Sequence, residues 1–142
     1  MKVSARNVFR GTVAATHPGT VNAEVDIDLG GGDHLVAVVT MASLDDLGLA
    51  VGSEVIALVK APWVIVLTDT SGVKLSARNN LVGTVKSVEI GAVNAEVAIA
   101  LPGGTEVMAV ITRDAVKELG LKPGVPATAV IKASHVVLGV PA

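Results

Sequence analysis

From Val21 to Leu29 apolar and polar residues alternate without interruption: Val21, Ala23, Val25, Ile27 and Leu29 against Asn22, Glu24, Asp26 and Asp28. A period of two is the signature of a half-buried β-strand. The run stops at Gly30-Gly31-Gly32-Asp33, a turn that leads into a second apolar strand over Leu35–Thr40. Ser4–Ala15 supplies an earlier strand. Val55–Val59 and Val64–Leu67 supply two later ones, split around Lys60-Ala61-Pro62. A short helix interrupts them between Thr40, a suitable N-cap, and Gly48, a suitable residue just past the C-terminus. Leu44 and Leu47, three apart on that helix, point inward.

The same pattern returns 72 residues later. Ser4-Ala5-Arg6-Asn7 recurs as Ser76-Ala77-Arg78-Asn79, and Val21-Asn22-Ala23-Glu24-Val25 as Val93-Asn94-Ala95-Glu96-Val97. Without a gap, 28 of the 67 pairs from Ser4/Ser76 to Thr70/Ala142 are identical. The chain is a tandem duplication, jointed at the polar stretch Thr68-Asp69-Thr70-Ser71-Gly72. Two units follow, residues 1–70 and 71–142. Five short strands per copy, rich in β-branched residues, predict an all-β fold: two tandem OB-like Greek-key β-barrels, each with a short helix. The second helix is expected from Thr112 to Gly120, with Val116 and Leu119 inward. Asp26 and Asp28 become Ala98 and Ala100 in the second copy, so that strand is apolar on both faces and expects a covered surface.

Composition sharpens this picture. Of 142 residues 51 % are hydrophobic and 17 % charged, the net charge is −2, and there is no cysteine. The mean hydropathy of +0.65 raises a membrane reading, but Lys60 and Lys132 cut the longest apolar runs. No stretch reaches the roughly 18 uninterrupted apolar residues of a spanning helix. Met1–Gly11 lacks the apolar core of a signal peptide. A soluble, cytoplasmic chain without disulfides is expected. Val (27) and Ala (20) make up a third of the residues, with one Trp and one Phe. Such thin cores predict that the copies pack together and that chains oligomerise.

Duplication also isolates polar residues that a barrel does not require. Six of eleven Lys and Arg fall in matched pairs, Lys2/Lys74, Arg6/Arg78 and Lys60/Lys132, whereas Glu24/Glu96 is the only matched carboxylate. Ser4/Ser76, Asn7/Asn79, Thr12/Thr84, Asn22/Asn94 and Thr40/Thr112 match as well. Donors and cations dominate, as a fully deprotonated tetrahedral dianion requires, because it accepts at every oxygen and donates nowhere. One Arg and one Lys per copy balance two negative charges. Helix N–H groups after Thr40, with the Ser43 hydroxyl, add donors; Ser43 is Ala115 in the second copy. The plainer alternative stands beside this: Arg6 and Lys60 as surface ion pairs, Thr40 as a cap only. On that alternative the repeated strings are strand-pairing or interface features.

These residues resemble a known family. Ser-Ala-Arg-Asn followed by Gly-Thr-Val, Val-Asn-Ala-Glu-Val, Leu-Gly-Leu and Lys-Ala-Pro-Trp is similar to the Mop domain of molybdate-binding proteins. Two copies resemble the di-Mop molbindins, and the resemblance covers essentially the whole chain. It implies reversible binding of molybdate, with tungstate as a mimic, for intracellular molybdenum storage, without catalysis or a further cofactor. It also implies a trimer with oxyanions at interfaces. Carried over, the interface sites are Ser4, Arg6, Thr40, Ser43, Lys60 and Ala61, and Ser76, Arg78, Thr112, Lys132, Ala133 and Ser134. A second class near a threefold axis falls at Gly19, Thr20, Val21 and Asn22, and at Gly91, Ala92, Val93 and Asn94. Ser134-His135 replaces Pro62-Trp63, so the two interface sets are expected to differ. The chain shows no phosphate-binding loop of the Gly-x4-Gly-Lys-Ser/Thr type, and the binding module alone, without a DNA-binding domain, is expected.

Two other classes fit the residues less well. For an enzyme, His17, His34 and His135 are neither repeated nor spaced as a metal cluster, and no Gly-x-Ser-x-Gly elbow occurs. For an OB-like interaction or nucleic-acid module, stacking rings and a basic excess are wanting.

Overall fold

The computed structural model describes residues 1–69 and 72–142; Thr70 and Ser71, in the joint, lie outside the described residues. The first copy folds as β1 (Asn7–Pro18), β2 (Asn22–Gly30), β3 (Asp33–Thr40), α1 (Met41–Asp46), β4 (Glu54–Val59) and β5 (Ile65–Leu67). The second repeats it as β6 (Asn79–Ile90), β7 (Asn94–Ala100), β8 (Glu106–Thr112), α2 (Arg113–Leu119), β9 (Pro126–Ile131) and β10 (Val137–Gly139). A 3₁₀ turn precedes the last strand of each copy, Ala61–Trp63 and Ala133–His135. The expected alternation holds within β2, where Ala23, Val25 and Ile27 are buried while Asp28 faces solvent; Val21, expected to share the buried face, precedes the strand and is 70 % exposed. Gly48 follows α1 with φ 62° and Gly120 caps α2 at φ 63°, the left-handed backbone expected there. The first strand starts three residues later than expected, so Ser4–Arg6 precede the ladder.

The strands form two antiparallel five-stranded sheets, ordered β10-β4-β1-β2-β3 and β5-β9-β6-β7-β8. In each, a central strand is bent by a bulge, between Val13 and Ala15 or between Val85 and Ser87. Gly11 sits where a Cβ would lie 2.5 Å from the Asp28 carbonyl oxygen, and Gly83 faces Ala100 in the same way. Only glycine lets the strands cross so closely. The edge strands β3 and β10 approach each other, as do β8 and β5, which curls each sheet into an OB-like barrel.

The fifth strand is exchanged. Leu67 pairs with Thr128 of β9, and Val137 with Leu58 of β4, so each copy's last strand completes the other's sheet. The 3₁₀ turn after β4 or β9 directs the chain outward with the same backbone in both copies, Lys60 at φ −69° and Lys132 at φ −68°, although Pro62 is replaced by Ser134. Trp63 and His135 meet where the two turns come together, with ring centroids 4.8 Å apart. The buried apolar residues of both barrels form one continuous cluster, the covered surface expected for so Val- and Ala-rich a chain; Ala98 belongs to the buried set.

Two polar devices join the barrels. Asn7 and Asn79 are each 2 % exposed. The Asn7 amide donates to the Met108 carbonyl and accepts from its N–H, both at 2.8 Å; Asn79 does the same to Val36, both at 2.7 Å. Each amide thus stands in for a missing strand on the outer edge of β8 or β3. The second device is not repeated. The β2–β3 turn meets the β7–β8 turn so closely that a Cβ on Gly31 would lie 2.5 Å from the Gly103 carbonyl oxygen. There buried Asp33 accepts from the N–H groups of Gly103 and Thr105, at 3.0 and 3.1 Å.

Burial of Asp33 pushes its carboxyl upward, but hydrogen bonds from Thr105 and Gly103, with His34 nearby, outweigh it and hold the group below its ordinary 3.8. A depressed folded value means that the unfolded chain takes up the proton first. The contribution of Asp33 is therefore complete above about pH 4, the unfolded carboxyl value, and lost as the pH falls through the folded one. The expected outcome is that Asp33→Asn lowers the unfolding midpoint at pH 7 and that the gap to wild type narrows toward pH 3. Thermal melts across that range check it; a constant gap would contradict it.

Candidate oxyanion site

Ser76, Arg78, Lys132, Ala133 and Ser134 line one open cavity of about 390 Å³, together with Ala77, Val130, Ile65 and Val38. The loop before β6 delivers Ser76 and Arg78. The 3₁₀ turn after β9 delivers Lys132, Ala133 and Ser134, with Ala133 buried as its anchor. The opposite wall comes from the other copy: Val38 on β3 and Ile65 on the exchanged β5. Five of the six residues expected for the second set therefore meet. The sixth, Thr112, ends β8 and lies outside this lining. Thr40, expected in the first set, lies two residues beyond Val38 on the same outward face of β3. The walls of this candidate cavity thus come from both copies rather than from one.

The first set is arranged by the same relations in reverse. Asn7 docks on β8 as Asn79 docks on β3, and the Ala61–Trp63 turn packs against β8 as its counterpart packs against β3. Its detail differs where the sequence differs. Lys60 Nζ sits 5.3 Å from the centroid of the Trp63 ring, a cation–π contact, where the second copy has His135.

Both arginines are engaged. Arg78 Nη2 donates to Glu24 Oε1 at 2.6 Å, and Arg6 Nη1 donates to Glu96 Oε1. The alternative expectation, arginines in ion pairs, is thus met, with four guanidinium N–H groups of each left beyond that bond. Thr40 and Thr112 act as caps, accepting from Ser43 N–H at 3.0 Å and Ala115 N–H at 3.1 Å. The Ser43 hydroxyl accepts from Thr40 Oγ1 at 2.9 Å. The first helical N–H groups are taken too: Met41 donates to Val21 and Arg113 to Val93.

The segments expected near a threefold axis are tight exposed turns, closed by Gly19 N–H to Asn22 O at 2.9 Å and Gly91 N–H to Asn94 O at 2.8 Å. Gly91 and Asn94 border a recess of about 400 Å³ with Glu89 and Glu96, acceptors that do not suit a lone dianion. Among the described residues no His, Asp or Glu group is placed to hold a metal ion, and no helix is long and apolar enough to cross a membrane. Sequence reasoning gave no role to Val38 or Ile65. It counted Asn7 and Asn79 among repeated polar residues that a barrel does not require, whereas both are spent on the backbone of the other copy.

Comparison with known proteins fits this architecture. The family model described as the TOBE domain matches residues 3–66 and again 75–138. The molybdenum transport protein ModE of Azotobacter vinelandii is 49 % identical over 140 residues, covering 99 % of this chain and 52 % of that protein. The molybdenum-pterin-binding protein MopA of Rhodobacter capsulatus is 45 % identical over 141 residues, covering 99 % and 53 %. The chain thus spans about half the length of these curated relatives. A solved structure of the cytoplasmic molybdate-binding protein ModG, with molybdate bound, matches at 67 % identity and a TM-score of 0.95, covering 99 % of this chain and 100 % of that one. No enzyme family is indicated. The chain belongs to the TOBE-domain family and carries two copies of the domain in tandem.

Proposed function

We propose that this chain binds molybdate reversibly and serves intracellular molybdenum storage and homeostasis in the cytoplasm, with no catalytic step. The carrying observation is the cavity in which Ser76, Arg78, Lys132 and Ser134 converge against the other copy's β3. Two cations and two hydroxyls offer donors from several directions to a ligand that only accepts. Arg supplies a directed fork and Lys a compact charge. The likeness to ModG, whose solved form holds molybdate, supports the choice of anion. Tungstate, of the same shape and charge, is expected to compete for the same donors.

The site residues on this reading are Ser76, Arg78, Lys132, Ala133 and Ser134, facing Thr40 and Ser43, and Ser4, Arg6, Lys60 and Ala61, facing Thr112. Residues 1–70 and 71–142 are the two sequence units, each completed by the other's last strand. The turns Gly19–Asn22 and Gly91–Asn94 are a second site class only if further chains supply donors. Exposed apolar residues repeat at matched positions, Val21 with Val93 and Ile65 with Val137, which supports association of chains; the trimer is what the family resemblance implies. An anion held only by the assembled form stabilises it by mass action.

The test is the mass in solution, by light scattering, with and without molybdate, alongside molybdenum analysis of the separated species. A trimer that carries molybdenum and gains thermal stability with added molybdate is expected. A monomer that retains no molybdenum would contradict the reading.

A further inference from the structure

We propose that Glu24 and Glu96 are positioning residues for the oxyanion sites: each holds the other copy's arginine in aim, while its own charge limits affinity. The inference rests on the molybdate reading and adds a part that reading does not need. Glu24/Glu96 is the only acidic residue identical in the two copies. Each member bonds the arginine of the opposite copy, Glu24 with Arg78 and Glu96 with Arg6. The arrangement thus occurs twice, although the surroundings differ, with His17, Asp26 and His34 in one copy replaced by Glu89, Ala98 and Glu106 in the other.

Arg78 borders two spaces at once. One is the cavity with Ser76 and Lys132; the other is a recess of about 540 Å³ with Glu24, Asp26 and His34. The guanidinium therefore lies between donors for an anion on one side and a carboxylate on the other. Its side chain is 60 % exposed, against 23 % for Glu24. An arginine so exposed samples many rotamers unless something fixes it, and the better-buried Glu24 on β2 provides the fixed point. One of five N–H donors is used, and the rest of the fork stays available. A carboxylate and a tetrahedral dianion are both acceptors, so Glu24 acts on the ligand through Arg78 and by repulsion, never by a direct hydrogen bond.

Two substitutions separate these effects. Glutamine keeps the length and the acceptor oxygen but removes the charge; alanine removes both. Full-length wild type, Glu24→Gln/Glu96→Gln and Glu24→Ala/Glu96→Ala are titrated calorimetrically with sodium molybdate, with thermal melts confirming the fold. The glutamine variant is expected to bind roughly tenfold tighter than wild type, the scale of removing a like charge several ångströms away. The alanine variant is expected to bind at least about fivefold more weakly than the glutamine variant, because its arginines are unheld. Equal affinity of the two variants overturns the positioning role. A glutamine variant no tighter than wild type overturns the charge limit. Wild-type protein that binds no molybdate takes down the molybdate reading as well, a failure visible before either variant is measured.

Discussion

Alanine at both Arg6 and Arg78 is expected to abolish most molybdate binding while the fold survives. Each arginine precedes its strand, so neither ladder loses a hydrogen bond. Each contributes one exposed ion pair, with side-chain exposures of 52 % for Arg6 and 60 % for Arg78. Pairs of this kind contribute about 0–1 kcal/mol to stability. Binding is another matter, because hydrogen bonds to a charged group contribute about 1.5–3 kcal/mol each. Losing a two-pronged contact weakens each interface site roughly 100-fold or more. Calorimetric titration of the double variant checks this, with circular dichroism to verify the fold. Full stoichiometry at unchanged affinity would remove Arg6 and Arg78 from the sites.

The largest structural effect is expected from the asparagines. Alanine at Asn7 strands the Met108 N–H and carbonyl on the outer edge of β8, and alanine at Asn79 does the same to Val36 on β3. Each substitution also opens a gap where a side chain only 2 % exposed was packed. An unsatisfied buried polar group costs about 1–3 kcal/mol, so each change is expected to cost that much or more. Together they approach a sizeable part of the 5–15 kcal/mol of a typical domain. Because both locks tie one barrel to the other, the double variant is expected to melt well below wild type. Its anion affinity should fall too, since the walls of the cavity belong to different copies. Denaturant unfolding of single and double variants measures the cost. A double variant as stable as wild type would show that exchanged strands and apolar contact alone hold the barrels together.

Much of this was legible in the chain. Period-two alternation, punctuated by glycine and cut by Pro62, located strands such as β2 and β4, and the 72-residue offset doubled every such reading. Caps at Thr40 and Thr112 located both helices. The exchange of β5 and β10 was not legible, because three apolar residues after a turn carry no information about which edge they will join. For the same reason the approach of Val38 and Ile65 to Ser76, Arg78 and Lys132 was not legible. Comparing the copies picked out Ser76, Arg78 and Lys132 as polar residues a barrel does not need. It passed over Asp33, whose counterpart is Thr105, because an interaction across a pseudo-twofold need not repeat the same residue. Val38 and Ile65 were invisible for another reason: an apolar residue on a strand looks the same whether it borders a core or a ligand.

The central claim is that the duplicated cations form a site for molybdate, and parallel calorimetric titrations with molybdate and with sulfate test it most directly. Tight saturable binding of molybdate, with sulfate much weaker under the same conditions, is the predicted result. Comparable binding of the two anions, or none of molybdate, would contradict it.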